Sequence, residues 1–305
     1  MYTQLFGHYL LNNGIIDADE LHAALTALTR IKVKLGSAAI DAGYMSAEQV
    51  EEIHELQHTM DKRFGELAIE QGYLTDEQAR SLLSKQKNSN LLLGQALIDF
   101  GFITNKQFED ALNDYKRKAS LINGDSEEER MENEMIDVLG ISDMPDKEFY
   151  SEYILLFIRN LIRFLGDDFS LSGVSRNVTV SMNYACTQEI TGPISATVAI
   201  GGTEHGFIGI GARYSGEELH ETDGYTKACV GELLNLQNGL FAVNASNSRN
   251  IELDLKPQES FEKYMLNVPE NGICVGLSFS FGDIKIAVIK HGERTAANDR
   301  NTEIQ

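Results

Sequence analysis

The chain is short of positive charge. Its 305 residues carry 26 Lys and Arg against 46 Asp and Glu, a formal net charge of −20. Without a basic surplus no condensed counterions are displaced from a phosphate backbone, which excludes nucleic acid as a partner. A small anion held by a few placed groups stays compatible with that charge. Cysteine is scarce too. Cys186, Cys229 and Cys274 lie in apolar segments without CxxC or Cys/His spacing, so they read as core thiols of a reducing compartment, and no metal site is expected. Long apolar runs are missing: the longest, Tyr153 to Leu165, is interrupted by Arg159, Asn160 and Arg163, so no membrane span is expected. The opening residues, MYTQLFGHYLLNNG, are too polar for a secretory signal. The expectation is a soluble, cytoplasmic chain with room for about two domains.

What the first part of the chain does contain is a repeat. Gly7, Gly36, Gly65 and Gly94 are spaced 29 residues apart, as are Gly14, Gly43, Gly72 and Gly101. Asp17, Ser46, Thr75 and Thr104 keep the same spacing, and three residues after them stand Glu20, Gln49, Gln78 and Gln107. Each pair is a capping box, in which side chains satisfy the orphan donors of a helix start reciprocally. Each Gly of the second set precedes an apolar residue, as expected where a helix ends in a left-handed turn. Helices are therefore expected over 5–12 and 17–28, 34–41 and 46–57, 63–70 and 75–86, and 92–99 and 104–117. A unit of this size cannot bury its apolar face alone, so the units must stack into an all-α tandem-repeat domain, 1–117.

An acidic stretch, 118–146, reads as a solvated helix or linker. Asp146 is the expected N-cap of an amphipathic helix, 147–165, closed by Gly166. The period then changes to two. Val178, Val180, Met182 and Tyr184 mark one strand, Ile194 to Ile200 a second, and Ile208, Ile210 and Ala212 a third. A helix from Thr222 to Ala242 follows, then a strand at Ile251, Leu253 and Leu255. A hairpin over 272–289 is expected to turn at Gly282-Asp283. The second domain, 147–290, is thus α+β, an antiparallel-rich sheet covered by helices. The tail, 291–305, reads as disordered. His205 and His220 have no carboxylates at ligand spacing and read as turn or surface residues. Gly201-Gly202 with Gly206, Gly209 and Gly211 is set aside as a dinucleotide fingerprint because a strand is expected to follow. Ser215 and Ser278 lack a nucleophile-elbow context.

Repeats two and three resemble the MshEN family found at the front of type II secretion and pilus ATPases. RFGELAIEQGYLTDEQARSLLSKQ, Arg63 to Gln86, matches its R-L-G-x-x-L-V-x-x-G-x-I pattern and the final Gln at nearly every position. KLGSAAIDAGYMSAEQVEEIHELQ, Lys34 to Gln57, keeps the basic first residue, both glycines and the final Gln. His58 to Lys62 form the five-residue spacer. The resemblance implies a cyclic di-GMP ligand, with Lys34, Leu35, Gly36, Gly43, Gln57, Arg63, Phe64, Gly65, Gly72 and Gln86 as its contacts. Arg63 can stack on a purine or bridge a phosphate, and Gln offers both donor and acceptor. Repeats one and four begin with Leu5 and Leu92 and end with Leu28 and Tyr115, and read as structural caps. The alternative is that all four repeats are packing units of a scaffold.

The second domain resembles the CheC/CheX/FliY phosphatases of bacterial chemotaxis, and more closely the single-site CheX type. The element order carries part of this resemblance. The rest lies in the helix YTKACVGELLNLQNGLFAV, where Glu232 and Asn235 supply Glu-x-x-Asn and Pro257 follows after 21 intervening residues. Ala228 stands where the family often has Asp or Ser. The resemblance implies hydrolysis of the aspartyl phosphate of a CheY-like response regulator, with Glu232 docking and Asn235 orienting the attacking water. It implies no cofactor of this chain's own, since the Mg²⁺ belongs to the regulator. Gly231 reads as room for the partner's close approach. A homodimer is expected through the sheets, because the hairpin 272–289 would need its edge covered. The alternative, from another class, is a non-catalytic adaptor that binds a regulator or motility component.

Overall fold

The capping boxes form as written. In this computed structural model, which describes residues 2–84, 89–121 and 127–291, the backbone N–H groups of Asp17, Ser46, Thr75 and Thr104 donate to Glu20, Gln49, Gln78 and Gln107 at 2.8 to 2.9 Å. They open α2 (Ala18–Ala27), α4 (Ala47–Thr59), α6 (Asp76–Ser84) and α8 (Asn105–Leu121). The preceding helices are α1 (Tyr2–Asn12), α3 (Leu35–Asp41), α5 (Phe64–Glu70) and α7 (Ser89–Asp99). Each ends at a left-handed glycine, Gly14, Gly43, Gly72 or Gly101, with φ between 63° and 77°. The next N–H closes on the last turn, as Tyr44 does on the Ala39 carbonyl at 2.9 Å.

The other glycines are contact points. A Cβ on Gly36 would lie 2.8 Å from Val50 Cγ1 and 3.4 Å from the Phe64 ring, and one on Gly65 would lie 3.1 Å from Leu35. Repeats two and three thus pack each on the other's glycine. Repeats one and four, expected as caps, also meet each other. Leu93 lies 3.5 Å from a Cβ on Gly7, and Tyr9 donates its hydroxyl to Asp114 Oδ2 at 2.6 Å. Phe6, Leu21, Ile53, Leu67, Leu93 and Phe108 share one buried core.

Among the described residues, those within 1–130 together with 168–170 form one compact unit, and those within 131–167 and 171–291 form the other. α9 (Glu127–Leu139) lies in the stretch expected as an acidic linker, yet Met135, Ile136 and Leu139 on it, and Ile141 and Met144 beyond it, are buried. α10 (Lys147–Phe164) forms where expected. Asp146 stands at its N-cap as expected, but its side chain makes no capping hydrogen bond and its carboxylate pairs instead with the Lys290 ammonium.

The sheet contains β1 (Phe169–Ser175), β2 (Val178–Thr191), β3 (Ser195–Gly202), β4 (Asp254–Leu255), β5 (Glu259–Val268), β6 (Gly272–Phe279) and β7 (Gly282–His291). Its order is β1-β6-β7-β3-β2-β4, with β5 also on β2. Two helices cross over from β3 to β4: α11 (Glu204–Ser215) and α12 (Gly224–Arg249). α11 corrects the expected third strand. Its alternation of Ile208, Ile210 and Ala212 is outweighed by burial of Phe207 and Ile210 at helical spacing, and by a Thr203 cap that accepts from the Gly206 N–H at 3.1 Å. A helix, not a strand, therefore follows Gly201-Gly202. The glycines there are packing residues all the same. A Cβ on Gly206 would sit 2.3 Å from the Asp283 carbonyl, and one on Gly209 2.1 Å from the Phe281 ring.

The hairpin β6–β7 turns at Ser280-Phe281, two residues before the expected place, with Phe279 facing Gly282. It does not lie at an edge, since β1 and β3 flank it, so the edge-covering argument for a dimer loses its basis. Gln86 and the expected disordered tail beyond His291 lie outside the described residues.

Candidate functional site

The site begins at a break in an edge strand. β4 and β5 both pair with the outer side of β2, at Ile190↔Leu255 and Thr187↔Glu259. Between them Lys256-Pro257-Gln258 leaves the ladder. Proline has no N–H to donate, so an edge bulge is where a sheet tolerates it. The Lys256 N–H holds the bulge to the Glu189 carbonyl at 3.0 Å, while its carbonyl accepts from Gln188 Nε2 at 2.8 Å.

α12 lies over this bulge. Asp223 opens it by accepting from the Thr226 N–H at 2.8 Å, and Asn250, in the left-handed conformation with φ 53°, ends it. Val230, Leu233, Leu234, Phe241 and Ala245 form its buried face. Glu232 is exposed, Asn235 half-buried, and both stand on the opposite side, as spacing i and i+3 demands. Tyr225, 47% exposed, and Val243, 55% exposed, flank them with apolar surface. Among the described residues nothing lies within 4 Å of a Cβ built on Gly239, which leaves that face open. Ala228 is exposed one turn before Glu232 and, being apolar, adds no polar contact.

Both site residues are tied to the bulge. Gln258 Nε2 donates to Glu232 Oε1 at 3.3 Å. The same side chain covers Gly231, its Cγ 3.0 Å from a Cβ built there. The room at Gly231, expected for a partner, is therefore taken by Gln258 of this chain. Asn235 Oδ1 accepts from Gln188 Nε2 at 2.9 Å. Gln188 Oε1 in turn accepts from Asn238 Nδ2 at 2.8 Å, and Asn238 Oδ1 accepts from the Tyr153 hydroxyl. Gln188, Asn238 and Tyr153 are buried. Burial holds the Tyr153 hydroxyl well above the ordinary phenol range, so it stays a donor. Nearby, burial raises the Tyr214 phenol, and the Glu232 carboxylate adds to that shift.

Gln188, Asn238, Tyr153 and Gln258 were not singled out from sequence. One signal was available for Gln188. It alternates with Cys186 and Ile190, so a strand extended past Tyr184 would have placed an amide in an apolar row.

The residues drawn from repeats two and three gather around α3 and α5. Lys34 Nζ pairs with Asp99 Oδ1 at 2.7 Å, and Gln57 Nε2 donates to the Lys62 carbonyl at 3.2 Å, beside the exposed Arg63. The Arg63 N–H is capped by Glu66 at 3.0 Å. Leu35, Gly36, Phe64 and Gly65 form the mutual packing described above, and Gly43 and Gly72 are helix-ending turns.

No family model and no curated protein matches the chain. Among solved structures, the chemotaxis protein CheX from Desulfovibrio desulfuricans is 14% identical, with a TM-score of 0.41, over 47% of this chain and 99% of that one. Here the chain is similar to CheX proteins. The CheX of Vibrio vulnificus is 13% identical at a TM-score of 0.41, over 47% and 99% of the two chains. A CheX–CheY–BeF3–Mg complex from Borrelia burgdorferi gives 13% and 0.41, over 47% and 98%. No helix among the described residues is long and apolar enough to cross a membrane.

Proposed function

We propose that the second unit is a protein aspartyl-phosphate phosphatase that acts on a CheY-like response regulator. One observation carries the reading: Glu232 and Asn235 stand together on an open, apolar-rimmed helix face, and a buried hydrogen-bond chain holds the Asn235 amide. An exposed face of this kind suits chemistry done inside another protein's site. The regulator brings the Mg²⁺ and the phosphoryl group; this chain docks and positions. Among the described residues no cation pairs with Glu232, so its carboxylate is available to the regulator's phosphate-contacting Lys. Water adds to phosphorus, the P–O bond to the aspartyl group breaks, and its electron pair returns to the carboxylate. Both water hydrogens leave on dihydrogen phosphate.

Decay of phosphorylated regulators is the test, run with a panel from one organism. Asn235→Ala should lower the rate at saturation and leave binding largely intact. Glu232→Ala should also raise the regulator concentration required, because its ion pair forms in a partly desolvated interface. If wild type accelerates no regulator, or Asn235→Ala matches wild type, the adaptor reading replaces this one. We also propose that repeats two and three take cyclic di-GMP at Arg63 and Gln57. The support is their matching ends and their adjacency across the Lys62 carbonyl.

A further inference from the structure

We propose that Gln188 is a positioning residue that fixes the Asn235 amide with its Nδ2 hydrogens outward, so that the site offers the regulator a hydrogen-bond donor. The inference rests on the phosphatase reading for its function and on the buried amide chain for its geometry. An amide side chain can be turned end for end at little steric cost, so its direction must come from its partners. The Lys256 carbonyl supplies the direction, because a carbonyl can only accept. Gln188 must therefore present Nε2 to it, at 2.8 Å. The second Nε2 hydrogen then points to Asn235, 2.9 Å away, and only Oδ1 can receive it. At its other end Gln188 Oε1 must accept, which turns Asn238 Nδ2 toward it at 2.8 Å and leaves Asn238 Oδ1 for the Tyr153 hydroxyl. Every amide atom between Lys256 and Tyr153 has one role, and no second arrangement satisfies them all.

The consequence falls on the open side of α12. Oδ1 of Asn235 is committed inward, and among the described residues no group accepts from its Nδ2. A donor of this kind complements an oxygen lone pair, and the acceptors at an acyl phosphate are the phosphoryl oxygens, where negative charge resides in the transition state. Gln188 is 2% exposed and cannot meet the substrate itself. It acts through Asn235. The Pro257 bulge acquires a purpose here: by leaving the ladder it frees the Lys256 carbonyl, which would otherwise be spent on a strand partner.

Two measurements on the full chain test this. The first is exchange of side-chain amide protons with water, followed by NMR on ¹⁵N-labelled protein with the Asn235 pair assigned from Asn235→Ala. The Gln188 pair should be protected and the Asn235 pair should exchange rapidly. Equally rapid exchange at Gln188, or protection at Asn235, overturns the proposal whether or not any regulator is a substrate. The second is turnover of a phosphorylated regulator by Gln188→Met, which keeps the length of the side chain and removes the donor. With the Asn235 amide released, kcat should fall roughly ten- to a hundredfold while KM stays near wild type, because Glu232 and the apolar rim are untouched. An unchanged kcat in an active, folded variant overturns the positioning role. A wild type without turnover instead refutes the phosphatase reading, and the exchange measurement still decides the amide orientation.

Discussion

Gly94→Ala sets two effects of known size against each other. Replacing a glycine inside a helix with alanine favours the helix by about 1 kcal/mol. At Gly94, within α7, the new Cβ would lie 2.1 Å from Phe108 Cε2, 2.7 Å from Cδ2 and 2.8 Å from Cζ. All three are far inside van der Waals contact, and Phe108 is fully buried, so its ring has no solvent side to swing into. Overpacking of this kind costs about 1–3 kcal/mol, and three ring contacts belong at the upper end. The net loss should be about 2 kcal/mol, which lowers the melting temperature of that unit by roughly 7 °C. Gly239→Ala is the control. It sits mid-helix with nothing among the described residues within 4 Å of its Cβ, so only the helix-propensity gain of about 1 kcal/mol applies. Calorimetric scans of the full-length variants read both. A Gly94→Ala protein that melts at or above wild type would refute the claim that the first glycine of each repeat is there for close helix packing.

Cyclic di-GMP titrated into the full chain should release heat that Arg63→Ala largely removes. No heat from wild type at high micromolar ligand would leave the repeats as a packing scaffold. The three thiols are buried, so a thiol reagent at neutral pH should label Cys186, Cys229 and Cys274 only as fast as the protein opens. Rapid labelling of the native protein would contradict their burial. Burial pushes the Cys274 thiol up to about 11. Its neutral form is thus favoured in the folded state, and its contribution to stability is complete below the ordinary thiol value near 9 and disappears as pH rises through about 11. Urea midpoints of wild type and Cys274→Ala should converge over that window. A gap between them that stays constant through it would show that the thiol is not held neutral by folding.

Helix ends in the first unit were readable because their causes are local. A capping box joins residues three apart, and a left-handed glycine acts on its own turn, so Ser46–Gln49 and Gly43 announce themselves in a short window. The pairing of Glu232 with Asn235 was equally local, since one turn of helix sets both on one face. The interior strands followed from alternation, but α11 did not. Its residues alternate like a strand, and the helix becomes the better solution through the Thr203 cap, the burial of Phe207 and Ile210, and the fit of Gly206 and Gly209 against Asp283 and Phe281. Of the edge strand split by Pro257, the part ending at Leu255 was expected, but β5 beyond it was missed for a similar reason, because its pairing with β2 depends on a strand more than sixty residues earlier.

By itself, then, the sequence determined where the helices of the first unit start and stop, which residues of the interior strands alternate inward, and which two polar side chains share the open face of α12. Tertiary structure alone decided what those side chains are held by. Gln188 and Asn235 are 47 residues apart and Tyr153 and Asn238 are 85 apart, and no periodicity links them. A hydrogen bond needs its donor and acceptor within about 3 Å and correctly turned. That condition is met only after α10, α12 and the bulge beside β2 have packed, when burial removes the water that would otherwise satisfy each amide in any orientation.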